Sequence, residues 1–319
     1  MGIVCCHPSK AFNPDSRKLL QLKNPEKNPN ELIQDPQSTT DIPLLILDVE
    51  EEKIFTSRVS LRIITSLEGI SQLNVNNVLY LCGSESDSNI GSFLFKIDNT
   101  KSINSVVSIL VNAQYSHKYP SMIYLSDNSL LIVGGEKQIK CEQFEIASSK
   151  WRYLPDLPEE RYKASLVLVE ERNFVYLFGG FCSETGTNCT DILRIDTNSL
   201  MIWEKLLVKE GKDFLSKTSC GMLSKYNKEK GINRVYILGG ENNEKELCDS
   251  VIEYDIKKRV AKKIKGKLKY KAAFLNQNGV NVGLNTYILF DKKGNIHRVN
   301  FQDFKIYSNI NDEDEEMFK

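Results

Sequence analysis

The sequence predicts an all-β protein. From Leu44 onward, short β-branched and aromatic runs of strand length alternate with turn residues, and no stretch shows the 3.6-residue periodicity of an amphipathic helix. The clearest runs are LLILD (44–48), VLYLC (78–82), LLIV (130–133), FVYLF (174–178), RVYIL (234–238) and TYILF (286–290). Because an all-β chain of 319 residues must protect its sheet edges, we expect closed or radially repeated sheets.

The first 43 residues differ from the rest of the chain. Six of the nine prolines fall there, separated by Asn, Gln, Ser, Asp and Lys. Such a composition cannot bury enough apolar surface to offset the entropy of ordering, so we expect a flexible arm over 1–43, with no more than one helical turn at 17–22. The globular part is expected to span 44–310, and 311–319 to form an acidic tail with five consecutive carboxylates at 312–316.

A repeat divides the globular part. Three apolar runs end in glycine pairs, a fourth ends in Cys82-Gly83, and the last ends in Phe290-Asp291. The second positions of these pairs are separated by 52, 45, 60 and 51 residues, a period typical of propeller blades with four strands each. The glycine pairs are Gly134-Gly135, Gly179-Gly180 and Gly239-Gly240. At the end of a strand they allow positive φ and close packing of neighbouring sheets.

The spacing of the repeat predicts the number of blades. Five units contain four strands each, at about 67–112, 113–160, 161–212, 213–268 and 269–310. Residues 44–59 add two strands, which either complete a sixth blade or pair with the C-terminal strands. We expect six blades, with five as the alternative.

Around the glycine pairs the chain resembles the kelch-repeat family. In that family an aromatic residue and then, about seven positions later, a tryptophan follow each glycine pair. Phe144 and Trp151 follow the first pair at that spacing, and Trp203 follows the second after a longer gap. Tyr254 follows the third pair without a tryptophan. The resemblance covers roughly 44–310 and implies a kelch-type β-propeller in which these glycines and tryptophans are structural.

The composition excludes several classes of protein. Lys plus Arg and Asp plus Glu both total 42, which argues against a dedicated nucleic-acid binder. No apolar run approaches the roughly 18 residues of a membrane-spanning helix, and we expect no secretory signal. The eight cysteines form no Cys-x-x-Cys pair, and only three histidines occur, His7, His117 and His297. We therefore expect reduced thiols, no metal site and no cofactor.

The amino terminus carries the sharpest functional signal. Gly2 is placed for N-myristoylation, and the adjacent Cys5 and Cys6 suit palmitoylation, although the acceptor pattern prefers Ser or Thr at position 6. A second lipid matters because one myristoyl chain binds membranes only marginally. This start resembles those of dual-acylated signalling proteins, with the arm as a tether. The alternative is an incidental glycine with two ordinary thiols.

A strongly basic run lies near the C-terminal end of the fourth unit. Nine of the fifteen residues in KKRVAKKIKGKLKYK (257–271) are Lys or Arg. We favour the interpretation that this run is partly an outer strand, whose lysines discourage edge-to-edge association with another sheet. The alternative is contact with an anionic membrane leaflet, where each basic residue contributes about 1 kcal/mol.

Four basic residues align just before the first strand of successive units. They are His117, Arg161, Lys217 and Lys269. In the kelch family this connection lies at a mouth of the central channel, where partner peptides often dock. The resemblance therefore implies a partly basic rim that binds acidic or phosphorylated segments through charge-assisted hydrogen bonds. A purely structural role for these side chains is the alternative.

Taken together, these patterns predict a non-enzymatic protein-interaction scaffold at the cytoplasmic face of a membrane. Its partner is an unknown protein, with the loops at 181–191 and 224–233 as candidate contacts. No Gly-x-Ser-x-Gly, phosphate-binding loop or His-Glu-x-x-His motif is present. The alternatives are a small-molecule enzyme on the same fold, of the sugar epimerase or oxidase class, and a cytoskeletal binder.

Overall fold

The computed structural model describes residues 18–22, 40–48, 53–61, 67–84, 91–98, 106–169, 173–227, 232–274, 279–283, 286–300 and 305–308. Within these ranges the chain forms 25 β-strands, one short 3₁₀ helix at Lys212–Leu215 and no α-helix. The all-β prediction is confirmed.

The strands form six sheets, numbered here in chain order, and one additional hairpin. All pairs of neighbouring strands among the described residues are antiparallel. Sheet 1 contains β1 (Lys18–Leu22), β2 (Thr40–Asp48) and β3 (Lys53–Leu61). Sheet 2 contains β4 (Ile70–Val75), β5 (Val78–Gly83), β6 (Phe93–Asp98) and β7 (Val106–Ile109). Sheet 3 contains β8 (Ser121–Leu125), β9 (Ser129–Gly135), β10 (Gln138–Glu145) and β11 (Lys150–Leu154).

The second half of the chain repeats this arrangement. Sheet 4 contains β12 (Ser165–Val169), β13 (Phe174–Phe178), β16 (Ile192–Asp196) and β17 (Glu204–Leu206), with the hairpin β14 (Phe181–Cys182) and β15 (Thr187–Asn188) inserted. Sheet 5 contains β18 (Gly221–Asn227), β19 (Ile232–Leu238), β20 (Ser250–Asp255) and β21 (Val260–Lys267). Sheet 6 contains β22 (Val280–Gly283), β23 (Thr286–Phe290), β24 (Ile296–Asn300) and β25 (Lys305–Ser308).

Local sequence explains how these strands turn. Asn76 and Asn77 both have positive φ and join β4 to β5 in a two-residue hairpin, for which asparagine is well suited. At the other ends of the sheets, all six glycines of the three pairs have positive φ, as the sequence predicted. A Cβ at Gly179 would overlap the carbonyl oxygen of Lys217, and one at Gly240 would overlap the sulfur of Cys220. The glycines therefore allow neighbouring sheets to pack closely.

The hydrophobic core lies between the sheets, in six clusters that each combine residues from two sheets. Alternate residues of each strand point to opposite faces, so one strand contributes to the clusters on both sides of its sheet. Tyr80 packs toward sheet 3, whereas Leu79 and Leu81 pack toward sheet 1. Five clusters join consecutive sheets. The sixth joins sheet 6 to sheet 1 through Leu45, Leu47, Ile288, Phe290 and Ile296.

The prediction of a flexible arm over 1–43 is wrong for two stretches. Residues 18–22 form β1 rather than a helical turn, and β2 already begins at Thr40. Leu20 and Leu22 are fully buried. The two strands expected in 44–59 are β2 and β3, and they pair with each other and with β1. The rest of the predicted arm and the acidic tail lie outside the described residues.

Side-chain amides hold β1 in place. Gln72 accepts a hydrogen bond from the Leu22 N–H (3.0 Å) and donates to its carbonyl (3.2 Å). Asn74 does the same for Leu20, at 2.9 and 2.8 Å. Both amides lie on β4, so this strand satisfies the backbone of its neighbour with side chains. On the other side, Gln21 donates to the carbonyl of Asp291 in sheet 6 (2.6 Å).

Candidate functional site

The turns before the first strands of successive sheets are joined to one another by backbone hydrogen bonds. Each N–H donates to the carbonyl of the corresponding residue in the preceding sheet, over distances from 2.7 to 3.1 Å. We call these residues the linked turns: Gly69, Tyr119, Lys163, Ser219 and Phe274. Tyr119, Lys163 and Ser219 have φ between 52° and 56°, a conformation that the inter-sheet hydrogen bonds stabilise.

Three of the four predicted rim residues lie two positions before a linked turn, and each reaches the carbonyl of the first glycine in its own unit. The distances are 2.7 Å from His117 Nδ1 to Gly134, 3.5 Å from an Arg161 Nη to Gly179 and 3.1 Å from Lys217 Nζ to Gly239. The three residues are only 0%, 1% and 8% exposed. Their polar groups are directed into the protein and support the glycine turns.

Each of these basic side chains also contacts a polar partner. His117 Nε2 lies 2.9 Å from Glu142, and Lys217 donates to the Ser250 hydroxyl over 2.6 Å. Arg161 forms close ion pairs with Asp191 and with Glu159. Burial alone would raise the pKa of the Asp191 carboxyl, but Arg161 and Lys205 beside it hold that pKa below its usual value.

The fourth predicted rim residue is out of register. The backbone carbonyls of Arg161 and Lys217 each accept a hydrogen bond from the N–H of the second glycine in the preceding unit. In the last unit the carbonyl that accepts from the corresponding glycine, Gly240, is that of Ala272. Lys269 lies three residues earlier and is exposed, with its ammonium 5.4 Å from the centre of the Tyr270 ring. Lys269 therefore does not share the position of the other three.

The side chains that reach the surface at the linked turns belong to other residues. Three half-buried aromatic rings, which we call the aromatic patch, lie side by side: Tyr119, Tyr162 and Phe181. The ring centres of Tyr119 and Tyr162 are 6.0 Å apart, and those of Tyr162 and Phe181 are 5.4 Å apart. Burial raises the pKa of both tyrosines, and for Tyr119 the hydrogen bond to Glu68 raises it further.

Charged side chains surround the aromatic patch. Lys118 pairs with Glu136 and Lys292 pairs with Glu241, both at 2.8 Å. Lys163 differs, because its ammonium lies over the Tyr119 ring, 4.7 Å from its centre, and forms no ion pair with any carboxylate in the described ranges. Partial burial, with a smaller contribution from the nearby Lys292, lowers the pKa of Lys163, although the carboxylates of Glu241, Glu68 and Glu136 act in the opposite direction.

The sequence analysis missed Lys163 and the aromatic patch. The aligned segments contain the signal, since Tyr119 and Lys163 each stand two positions after an aligned basic residue. The prediction used only the aligned basic positions and did not consider the residues that follow them. A cationic side chain and adjacent aromatic faces can bind a carboxylate or phosphate together with apolar or planar groups.

The predicted contact loop at 181–191 is a hairpin, β14–β15, bordering a groove of about 520 Å³. Its lining includes Asp191, Glu159 and Lys205 together with Thr185 and Thr187 of the hairpin. Cys182 is buried, Cys189 is half-buried, and both are free thiols. Part of the other predicted loop, 228–231, lies outside the described residues.

The predicted lipidation sites Gly2, Cys5 and Cys6 also lie outside the described residues. In the part of the chain that is described, no helix has the length and hydropathy needed to cross a bilayer. The same ranges contain no group of three or more His, Cys, Asp or Glu side chains arranged to hold a metal ion. In comparisons with known proteins, no family model and no curated protein matches the chain.

Proposed function

We propose that the chain is a kelch-type β-propeller of six blades that acts as a protein-interaction scaffold. Each sheet would be one blade, with its first strand beside the central channel. The order of the core clusters supports this arrangement, because the sixth cluster brings sheet 6 against sheet 1. Polar contacts between neighbouring first strands support it too: the Ser121 hydroxyl donates to the Ala164 carbonyl, and the Ser165 hydroxyl to the Cys220 carbonyl.

The docking surface that we propose is the aromatic patch with Lys163. The single observation that carries this proposal is the half-buried Lys163 ammonium, which has an aromatic face and no carboxylate partner within the described ranges. An acidic or phosphorylated segment would supply a direct ionic partner, which the nearby Glu68, Glu136 and Glu241 do not provide. The linked turns fix the backbone of this surface, so little conformational entropy is lost on binding.

An array of short synthetic peptides tests this proposal. Acidic, phosphorylated, neutral and basic peptides are probed with the purified protein, with its Lys163→Glu and Tyr162→Ala variants, and with Lys150→Glu as a control on an exposed strand. We expect acidic or phosphorylated peptides to bind, with affinity reduced about tenfold or more by Lys163→Glu and unchanged by the control. Equal binding by Lys163→Glu and the unmodified protein would refute the docking surface.

We further propose that N-terminal lipidation tethers this scaffold to the cytoplasmic face of a membrane. Gly2, Cys5 and Cys6 support two acyl chains, the number that stable anchoring requires. Membrane partition in a eukaryotic cell tests the tether, comparing the unmodified chain with Gly2→Ala and with Cys5→Ser/Cys6→Ser. Both variants should become soluble. If the unmodified chain also stays in the soluble fraction, the lipid anchor is excluded.

A further inference from the structure

The outer strand of sheet 5, β21, presents a dense row of exposed lysines. Lys262, Lys263, Lys265 and Lys267 are exposed along the strand. The stretch 257–271 contains no acidic residue, so its positive charge is not balanced within the strand.

Two of these four lysines have an ionic partner in the described part of the chain. Lys262 lies 3.1 Å from Glu253, and Lys267 lies 4.0 Å from Asp249. Lys263 and Lys265 form no ion pair with a described residue. Much of the positive charge of this edge is therefore available to an external anion.

A second segment adds apolar surface beside β21, while its two lysines are offset in charge by the exposed Glu210 and Asp213. Lys209 donates its N–H to the Arg259 carbonyl (2.8 Å), and the Ala261 N–H donates to Glu210 (2.9 Å), so the segment after β17 runs alongside the start of the outer strand. This segment exposes Lys209 and Lys212, together with Leu207 at 76% and Phe214 at 41%. We call the combined surface the lysine edge: Leu207, Lys209, Lys212, Phe214, Lys263, Lys265 and Lys267.

Protection of the strand edge does not account for this surface. Charged side chains, lysine above all, discourage pairing between edge strands. The outer strands β11 and β17 follow that pattern, with Lys150 and Arg152 on the first and Lys205 on the second. β21 carries four lysines in eight residues. The exposed leucine and phenylalanine next to it have no protective role at all.

We propose that the lysine edge binds an anionic phospholipid bilayer. Lysines are attracted to the negative surface of such a leaflet, while exposed leucine and phenylalanine side chains can enter the boundary between headgroups and acyl chains. The phosphate backbone of a nucleic acid or a purely acidic peptide would pair with the lysines but would offer Leu207 no apolar environment. This inference rests on the proposed membrane location, but it concerns the folded part of the chain and does not require acylation.

Co-sedimentation with lipid vesicles tests the proposal. The full chain is made in bacteria, where it is not acylated, and mixed with vesicles of phosphatidylcholine alone or with added phosphatidylserine. We expect binding only to the vesicles that contain phosphatidylserine, weakening as salt rises. Lys263→Glu/Lys265→Glu/Lys267→Glu should lower the affinity about tenfold or more. Lys137→Glu/Lys150→Glu/Lys293→Glu has the same change in charge on other sheets and should bind like the unmodified protein.

Two further variants complete the test. Lys263→Gln/Lys265→Gln/Lys267→Gln should also weaken binding, and circular dichroism checks that each variant is folded. Leu207→Ser should weaken binding most clearly at high salt, where electrostatic attraction is screened. Failure of the unmodified protein to sediment would overturn the proposal, whether or not it binds an RNA oligonucleotide or polyglutamate. An equal loss in the control triple variant would overturn it as well. Because no acyl chain is present, neither result depends on the tether or on the docking surface.

Discussion

His117 and Glu142 form a fully buried pair in sheet 3, with Nε2 of the histidine 2.9 Å from Oε2 of the glutamate. The carbonyl of Gly134 can only accept a hydrogen bond, so Nδ1 of the ring carries a proton. The other ring nitrogen, Nε2, lies within hydrogen-bond distance of the carboxylate. Glu142 also accepts from the N–H groups of Gln114 and Tyr115, both at 3.1 Å. Through this pair one glycine turn is fixed to the neighbouring backbone.

Replacing His117 by alanine should destabilise the protein. His117→Ala leaves the Gly134 carbonyl without its partner and removes one of the two hydrogen-bond partners of Oε2 in the buried Glu142, so we expect the free energy of unfolding to fall by about 2–4 kcal/mol. Denaturant unfolding measures the change, with Lys150→Ala as a control on the protein surface. A change of less than about 0.5 kcal/mol would mean that the buried pair contributes nothing net.

Arg161 and Lys205 both pair with Asp191 but differ in burial, so they form a matched comparison. Arg161 is 1% exposed, and Arg161→Ala leaves Asp191 and the Gly179 carbonyl poorly satisfied, which should cost about 3–5 kcal/mol. Lys205 is largely exposed, and Lys205→Ala should cost no more than about 1 kcal/mol. Similar losses in the two variants, measured by thermal unfolding, would contradict this difference.

The amide side chains of Gln72 and Asn74 should control hydrogen exchange in β1. In Gln72→Leu/Asn74→Leu the N–H groups of Leu20 and Leu22 lose their acceptors. We therefore expect faster exchange in a peptide that covers 18–22, and a loss of about 2–4 kcal/mol in stability. Mass spectrometry follows the exchange. Unchanged protection in that peptide, with β21 as the internal reference, would show that β1 does not depend on these amides.

Asp291 should make stability depend on pH. Burial alone would raise the pKa of this carboxyl, but hydrogen bonds from His297 and Asn295 lower it below its usual value. Because the pKa is lower in the folded state, the carboxylate stabilises the fold above its unfolded pKa of about 4, and this contribution is lost as pH falls through the folded pKa. The stability difference between the protein and Asp291→Asn should therefore be largest near neutral pH and shrink in acid. A difference that does not change between pH values of about 7 and 3 would exclude this role.

Local sequence was sufficient for the parts of the fold that depend on local geometry. The glycine pairs stand where φ is positive, and a Cβ at the first glycine of each pair would overlap a carbonyl oxygen of the next unit. Phe144 and Trp151 pack against each other with ring centres 5.0 Å apart, as neighbours across β10 and β11. The glycine pairs recur at intervals of 45 to 60 residues, and an aromatic residue with a tryptophan follows the first pair, so the sequence displays these features directly.

The predictions that were wrong depend on contacts between residues far apart in the sequence. The short apolar run of β1 is stabilised by amides about fifty residues away, and nothing within 17–22 indicates them. The register of Lys269 was misjudged because the last unit lacks the glycine pair. Asp291 stands there instead and stabilises its turn by accepting hydrogen bonds from the N–H groups of Lys293 and Asn295. The burial of His117, Arg161 and Lys217 could not be deduced either, since basic residues are ordinarily exposed.

The way in which sheet 1 is built affects how the number of repeat units could change. Its strands β1, β2 and β3 come from one continuous stretch of chain, and β22–β25 of sheet 6 come from another. In the proposed propeller the first and last blades therefore meet through side chains, chiefly Leu45, Leu47 and Phe290, and not through a sheet shared by both ends of the chain. Each blade is then a self-contained genetic module. Duplication or deletion of one unit would change the diameter of the propeller without requiring any strand to find a new partner.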